Sequence, residues 1–227
     1  MEEKSSLLMT IAVLGATGKQ GKGLAYRWAR AGYRVVIGSR SSERAVHTAS
    51  EIMELLEGSS SVVGTTNLEA AQQADIAVLT VPYAAHRETL EGLKDMLKGK
   101  ILVDVTAPLG KPKYKVQLPP GGSATLEAKE ILGQDAQVVA AFQNISPEYL
   151  ISEDKVDGEV LVTGFNKAAR LETIKLVEAA GFVGWDAGPI ENSVAIEGLT
   201  SVLININRQY GSKHAGIKIT GVMNDNE

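Results

Sequence analysis

Three glycines spaced three residues apart follow the first apolar run of the chain. They are Gly15, Gly18 and Gly21, within AVLGATGKQGKG. A glycine at the first position tolerates the positive φ of a tight turn, and a second one lets the main chain approach a pyrophosphate. The free N–H groups at the start of the following helix would bind that anion. The spacing predicts a dinucleotide site, and a merely tight turn is the alternative interpretation.

The end of the next predicted strand indicates which dinucleotide would bind. An NAD-preferring site would place an acidic residue there, to contact the ribose hydroxyls. This sequence has Ser39 and Arg40 in VVIGSR, with Arg44 one helical turn further on. A hydroxyl and a guanidinium suit a dianionic 2′-phosphate, because Arg can bind it through two N–H groups and stack on adenine. We therefore predict NADP(H); a surface arginine with no ligand is the alternative.

Two further strands end in proline-containing segments. The segments are TVPYAAH, which contains Pro82, and VDVTAP, which contains Pro108. Ligands bind at the carboxyl edge of open α/β sheets, so we expect the nicotinamide end of the cofactor near these segments. Ordinary loop prolines are the alternative.

Groups for acid–base or metal chemistry are sparse. The histidines are His47, His86 and His214, and none has a metal-ligand spacing. His47 is expected to be solvated, and a helix-surface position is favoured for His86 over acid–base work. We predict no catalytic side chain and no metal. Carbonyl reduction usually needs a proton donor, whereas hydride passage between two planar cofactors mainly needs the rings to be stacked.

The pattern of elements predicts an α/β fold with a Rossmann-type, doubly wound parallel sheet. Its predicted strands are Leu8–Leu14, Arg34–Gly38, Ile76–Val81, Ile101–Val105, Val138–Phe142, Val160–Thr163 and Phe182–Asp186. The helical stretches are Gly23–Ala31, Glu43–Leu56, Ala84–Leu97, Thr125–Leu132 and Ala168–Ala180. The Pro- and Gly-rich segment Gly110–Ser123 is expected to be a functional loop or lid.

The final part of the chain is expected to be smaller and helical or α+β. We divide the chain into an NADP-binding Rossmann domain at 8–145 and a C-terminal part at 146–227. Glu191–Gly211 is predicted to be one long helix. Its apolar residues fall largely on one face: Val194, Leu199, Val202, Leu203, Ile206 and Tyr210. That face would pack within the chain, or against a partner domain or subunit.

Composition excludes several classes of function. The net charge is −4, with no basic field, so a nucleic-acid partner is not expected. There is no cysteine, which excludes disulfides and thiolate chemistry and fits a reducing cytoplasm. No apolar run approaches the length of a membrane span, so no membrane partner is expected.

Four stretches give the chain a resemblance to a known family, the NADPH-dependent reductases of the deazaflavin coenzyme F420. They are AVLGATGKQGKGLA, VVIGSR, ADIAVLTVPY and DAGPIENSVAIEGLTSVLININRQYGSKHAGIKI. The last is the most specific, because generic dinucleotide folds share nothing like it. The resemblance implies hydride exchange between C4 of the nicotinamide of NADP(H) and C5 of the deazaflavin. Separately, we expect the protein to be a homo-oligomer, specifically a homodimer.

The resemblance also implies positions for the cofactor contacts. The nucleotide would bind through its glycine loop, and the 2′-phosphate through the residues after the second strand. The deazaflavin would lie over the nicotinamide, in a cavity walled by the C-terminal segment. The implied glycine-loop residues are Thr17, Gly18, Lys19 and Gln20; the phosphate contacts are Ser39, Arg40 and Arg44; the nicotinamide contacts are Val81, Ala85, Ala107 and Pro147; and Ala215 lies near the deazaflavin.

One position departs from the family pattern. Gln143 stands where the resemblance implies a histidine near the deazaflavin, and Asn144 follows it. An amide can hydrogen-bond a ring carbonyl but cannot carry a positive charge. Both residues are otherwise ordinary polar groups at a strand end. Two other functions therefore remain open: an NADP-dependent reductase of an imine, a carbonyl or a flavin, and a non-catalytic NADP(H) sensor.

Overall fold

The computed structural model describes residues 9–58, 60–151 and 158–222. Residue Leu8, where the first strand was predicted to begin, lies outside the described residues.

The strands form an eight-stranded sheet in the order β3-β2-β1-β4-β5-β6-β7-β8. β1 to β6 are parallel, β7 is antiparallel to β6, and β8 is parallel to β7. The strands are Thr10–Leu14 (β1), Arg34–Ser39 (β2), Val62–Thr66 (β3), Ile76–Leu79 (β4), Ile101–Asp104 (β5), Gln137–Ala140 (β6), Glu159–Gly164 (β7) and Val183–Asp186 (β8).

One helix lies between each pair of successive strands, and α8 follows β8. They are Lys19–Arg30 (α1), Ser42–Leu55 (α2), Asn67–Gln73 (α3), Tyr83–Leu93 (α4), Ala124–Leu132 (α5), Pro147–Leu150 (α6), Lys167–Ala179 (α7) and Ser193–Tyr210 (α8). Single 3-10 turns at Lys94–Leu97 and Ile190–Asn192 extend α4 and precede α8.

The central strands are buried on both faces, which explains their uninterrupted Val, Ile, Leu and Ala runs. Every residue of β1 and β4 is buried. Alternate residues of β1 enter opposite cores: Ile11 and Val13 pack in one cluster, and Ala12 and Leu14 in the other. This arrangement confirms the predicted Rossmann-type α/β class.

The structure adds three named elements that the sequence patterns did not predict: β3, α3 and the short helix α6. β3 is short, and Gly64 interrupts its apolar pattern because a Cβ there would collide with the backbone at Ala45 of α2. α1 begins at Lys19 rather than at the predicted Gly23, so Gly21 lies inside the helix. Its missing side chain permits close packing, since a Cβ would lie 2.5 Å from Thr80 Oγ1.

The sheet continues across the predicted boundary at residues 145 and 146, because β7 pairs with β6. The division of the chain into 8–145 and 146–227 remains a prediction about function, to which we return below.

Only part of the apolar face predicted for the last helix packs within the chain. In α8, Leu203 is buried, but Val202, Ile206 and Tyr210 are 45%, 39% and 80% exposed. Ile196 and Glu197, which were not assigned to that face, are buried. The buried face of α8 contains the carboxylate of Glu197, whose hydrogen-bond partners Ala124 and Thr125 are distant in sequence. A hydrophobic pattern therefore could not identify this face.

The segment from residue 105 to 123 has no helix and a single β-bridge, Leu109 to Val116. It packs on α8: Tyr114 lies 4.1 Å from the Arg208 guanidinium carbon in a cation–π contact. The predicted loop therefore borders the last helix, and its residue Leu109 lines the cavity described next.

Candidate functional site

The glycine turn after β1 has the geometry that its spacing predicts. Gly15 has a φ of +74°. Its N–H donates to the carbonyl of Gly38 at 3.0 Å and lies 3.1 Å from Asn67 Oδ1. Gly18, the residue preceding α1, has an ordinary φ of −89°, and a Cβ there would meet nothing within 4 Å. The second glycine thus leaves open space beside the start of the helix.

A groove of about 510 Å³ runs along the carboxyl edge of the sheet from this turn. Ser39 ends β2 and is buried, whereas Arg40 and Arg44 are exposed. The Ser41 hydroxyl caps α2 by accepting from Arg44 N at 3.4 Å, which places Arg44 in the first helical turn. The lining residues are Gly15, Thr17, Gly18, Ser39, Arg40, Ser41, Arg44, Asn67, Thr80, Val81, Pro82, Ala85 and Thr89.

A second cavity, of about 370 Å³, adjoins the groove, and we call it the ring cavity. The two share Thr80, Val81 and Pro82, at the end of β4. α8 forms one wall through Thr200, Leu203, Ile204 and Asn207. Its remaining lining residues are Gln20, Val105, Thr106, Ala107, Leu109, Phe142, Gln143, Asn144, Ile145, Ser146, Pro147 and Ala215.

Twelve of the thirteen residues predicted to contact cofactors line one or both of these spaces. Those that line the groove are Thr17, Gly18, Ser39, Arg40, Arg44, Val81 and Ala85. Those that line the ring cavity are Gln20, Val81, Ala107, Gln143, Pro147 and Ala215. Lys19 lines neither: its ammonium pairs with Glu148 at 2.9 Å on the surface. Their roles as ligands remain predictions.

A strained backbone turn positions the polar floor of the ring cavity. Phe142, two residues after the end of β6, has a φ of +72°, which is unfavourable for a bulky residue. Its fully buried ring packs edge-on against Trp28 and Phe182, at centroid distances of 5.8 and 6.3 Å. This packing holds the strained conformation and fixes the direction in which Gln143 leaves the strand.

The expectation for His86 is wrong: the side chain is completely buried. His86 Nε2 lies 2.7 Å from Asp104 Oδ2, while Asp104 Oδ1 accepts from Thr106 N at 3.0 Å. Burial alone would lower the pKa of His86, but the hydrogen bond and charge of Asp104 outweigh it and raise the pKa. Asp104 is the last residue of β5, so the pair fixes the strand end that precedes Thr106, which lines the ring cavity.

Glu197 of α8, the helix that lines the ring cavity, forms hydrogen bonds to the start of α5. It is 1% exposed, and its carboxylate accepts from Ala124 N at 2.7 Å, Thr125 N at 3.0 Å and Thr125 Oγ1 at 2.7 Å. Burial, followed by the charge of Asp104, raises the pKa of Glu197 to about 7, against the effect of these hydrogen bonds.

The raised pKa of Glu197 predicts a pH-dependent stability. Between the ordinary value of 4.5 and about 7, the folded chain holds a proton that the unfolded chain releases. Stability from this group therefore falls as pH rises through that window, by up to about 3 kcal/mol. Urea unfolding at several pH values should show the wild type losing stability relative to Glu197→Gln, which does not titrate. Parallel profiles for the two proteins would contradict the assignment.

Asn67 was not identified from the sequence, although it lines the groove and accepts from the glycine turn. A signal was present: Thr66 and Glu69 have the spacing of a capping box, and the structure forms it. That motif predicts a helix starting at Asn67, at the carboxyl end of β3. The polar partners of His86 and Glu197 had no comparable signal.

Two further properties of the described residues concern metal-binding clusters and membrane-spanning helices. Within residues 9–58, 60–151 and 158–222, no group of three or more His, Asp or Glu side chains is arranged to hold a metal ion. The same residues include no helix of sufficient length and hydropathy to cross a bilayer.

Comparisons with known proteins give a matching family model, full-length relatives and a similar solved structure. Residues 10–108 match the family model for NADP oxidoreductase, coenzyme F420-dependent. The F420-dependent NADP reductase of Methanothermobacter marburgensis is 40% identical over 222 residues, covering 94% of this chain and 99% of that protein. That of Methanocaldococcus jannaschii is 37% identical over 223 residues, covering 94% and 99%. A solved structure from Arthrobacter sp. FB24 superposes with a TM-score of 0.80 at 26% identity, covering 93% and 99%.

Proposed function

Because this chain belongs to the family of coenzyme F420-dependent NADP oxidoreductases, we propose that it transfers a hydride directly between NADP(H) and coenzyme F420. It is an oxidoreductase whose cofactors are NADP(H) and F420. The observation that carries the mechanism is the junction of the groove and the ring cavity at Thr80, Val81 and Pro82. Two flat rings bound in these adjoining spaces would meet there.

We assign the groove to NADP(H). The open space at Gly18 lets a pyrophosphate approach the start of α1, where unpaired N–H groups favour an anion. Ser39, Arg40 and Arg44 surround the position expected for the 2′-phosphate, at the end of β2 and the start of α2. Thr17 lies on the glycine turn, whereas Gln20 lies in the first turn of α1 and lines the ring cavity. Lys19 would reach the phosphates only by leaving Glu148.

We assign the ring cavity to the deazaflavin. Its volume of about 370 Å³ lies within the usual range for a small-ligand pocket, and aliphatic side chains form much of its wall. Val81, Ala85, Ala107 and Pro147 would flank the nicotinamide, and Ala215 the deazaflavin. When both cofactors are bound, they supply the redox chemistry: C4 of the nicotinamide and C5 of the deazaflavin exchange the hydride.

We assign no protein side chain to the chemical step. The protein holds the rings at reacting distance and excludes water from between them, which is what a direct hydride transfer requires. The buried His86–Asp104 pair supports the strand end rather than the substrate, because neither residue lines the groove or the ring cavity.

The function is tested by mixing the protein with NADPH and oxidised F420. We expect the visible absorption of F420 to disappear as the deazaflavin is reduced. Turnover of an imine, carbonyl or flavin with F420 inert would instead identify a different reductase. Binding of NADPH and NADP⁺ with no turnover of any acceptor would identify a sensor.

We also propose that the protein is a homodimer that uses the exposed face of α8. Val202, Ile206 and Tyr210 follow one another at intervals of one helical turn and are 45%, 39% and 80% exposed. A second copy would cover this face, which is distinct from the face of α8 that lines the ring cavity. Sedimentation equilibrium should give about twice 24.1 kDa, and Ile206→Glu should shift the mass towards one chain. A wild-type mass of one chain would contradict the proposal.

Two further proposals concern domain organisation and cellular location. We propose that residues 8–145 form the NADP-binding domain, because every residue that lines the groove lies in that range. We propose that residues 146–227 complete the deazaflavin cavity and form the subunit contact. The absence of cysteine supports a cytoplasmic location, which fractionation of the source cells would test.

A further inference from the structure

The opening of the ring cavity is bordered by two segments that are far apart in the sequence. Leu109, in the loop after β5, lines the cavity and is 36% exposed, so it lies where the cavity meets solvent. Asn207 of α8 and Ala215 beyond it line the same cavity and are partly exposed. The opening therefore lies between residues 105–123 and residues 198–222.

These two segments are basic, although the chain as a whole is acidic. Together they contain six Lys or Arg and no Asp or Glu, whereas the whole chain has 23 Lys or Arg and 27 Asp or Glu. Each segment alone is too short to give the sequence a basic field, and the fold brings the two together. Five of the six basic residues are close in sequence to Leu109, Asn207 or Ala215. We call these five exposed residues the basic rim: Lys111, Lys113, Lys115, Arg208 and Lys213.

The loop that carries the three rim lysines nearest to Leu109 is folded against the opening. Leu109 and Val116 form the β-bridge that closes the turn between them. Tyr114, within this turn, packs on the guanidinium of Arg208 in α8. The three lysines therefore share a turn whose first residue, Leu109, lines the cavity.

The ammonium groups of this turn are not neutralised by the part of the protein that the structure describes. None of the three loop lysines forms an ion pair with another described residue. Lys213 has a carboxylate near it: the hydrogen bond and charge of Lys19, and then the charge of Lys213, lower the pKa of Glu148. The ion pair of Glu148, however, is with Lys19. Like charges gathered at an opening without counter-charges favour the binding of an anion.

The cofactor assigned to the ring cavity carries such an anion. Coenzyme F420 is a deazaflavin whose ribityl chain continues into a phosphodiester and carboxylate-bearing glutamates. The cavity volume of about 370 Å³ is near the lower end of the range for ligand pockets, which gives room for the ring system but not for this tail. Because the groove on the other side is assigned to NADP(H), we expect the tail to leave through the opening beside Leu109.

We propose that the basic rim binds the anionic tail of coenzyme F420, as a subsite separate from the ring cavity. The inference rests on the proposed function. Ammonium groups bind phosphate and carboxylate oxygens as point charges, and each exposed contact of this kind contributes little by itself. Several of them acting together would make the protein select a deazaflavin that carries the tail over one that lacks it.

The test measures binding of oxidised F420 and of FO, the same deazaflavin ending at its ribityl chain, without NADP(H). We expect the wild type to bind F420 at least about ten-fold more tightly than FO at low ionic strength, and added salt to reduce this preference. The loop variant combines Lys111→Gln, Lys113→Gln and Lys115→Gln, which removes three charges and keeps polar side chains. It should bind FO as the wild type does and prefer F420 by less than about three-fold.

A matched control removes three charges from exposed lysines at the amino edge of the parallel strands, before β5 and after β7. It combines Lys94→Gln, Lys98→Gln and Lys167→Gln, and it should keep the wild-type preference for F420. Both variants should bind NADP⁺ as the wild type does, since the groove contains none of these lysines.

Four results would overturn the proposal: equal binding of F420 and FO by the wild type, a preference for F420 that survives in the loop variant, a loss of FO binding equal to that of F420, or the same loss in the control. A loop variant that lost NADP⁺ binding would place a nucleotide phosphate at the rim and would also overturn it. If the wild type bound neither F420 nor FO, the proposed function itself would fail. That outcome differs from binding of both deazaflavins without regard to the tail.

Discussion

Replacing Arg40 with glutamate is expected to weaken NADPH binding about 100-fold or more, while NADH binding changes by less than about three-fold. Arg40 directly follows β2, is exposed in the groove, and forms no ion pair with another described residue. Its guanidinium is therefore available to a dianionic 2′-phosphate. Glutamate would replace a charge-assisted contact with repulsion, but only for the nucleotide that carries the phosphate.

The measurement is a titration of both nucleotides against wild type and variant at one ionic strength. Arg30→Glu makes the same charge change at the far end of α1, where the side chain is exposed, and should leave both affinities nearly unchanged. If Arg40→Glu reduced the affinity for NADPH and NADH equally, the 2′-phosphate assignment would be wrong.

Replacing Gly18 with valine is expected to reduce binding of either nucleotide by more than about 100-fold, with the fold preserved. Gly18 has φ −89° and ψ 165°, an extended conformation that a β-branched residue adopts readily, and a Cβ there meets no protein atom within 4 Å. The new side chain would instead occupy the space where the pyrophosphate must approach the start of α1.

Thermal unfolding should show little change for Gly18→Val, and isothermal titration should show the loss of binding. Gly18→Ala should have a smaller effect, because it adds a single methyl group. Gly92→Val provides the control: its Cβ would also meet nothing within 4 Å, but it lies near the end of α4. Unchanged affinity in Gly18→Val would mean that the nucleotide does not approach this turn.

Several features of the fold were accessible from the sequence because they depend on neighbours along the chain. The uninterrupted apolar runs of β1 and β4 predicted strands covered on both faces, and both are fully buried. The positive φ of Gly15 follows from a turn that only a few residues define. β3 was missed because it is short and contains Gly64, although the capping box at Thr66 marked the helix after it.

The sequence by itself determined the α/β class, the dinucleotide turn and the resemblance to F420-dependent reductases, since local spacing and strand order carry that information. Only the tertiary structure decided that His86 is buried on Asp104, that Glu197 holds α8 to α5, and that the side-chain amide of Gln143 donates to the carbonyl of Asp104. Each of these depends on a polar partner at least 18 residues away in the chain. Periodicity reports which face of an element is apolar, but the protonation and orientation of a buried polar group depend on the distant atoms that pair with it.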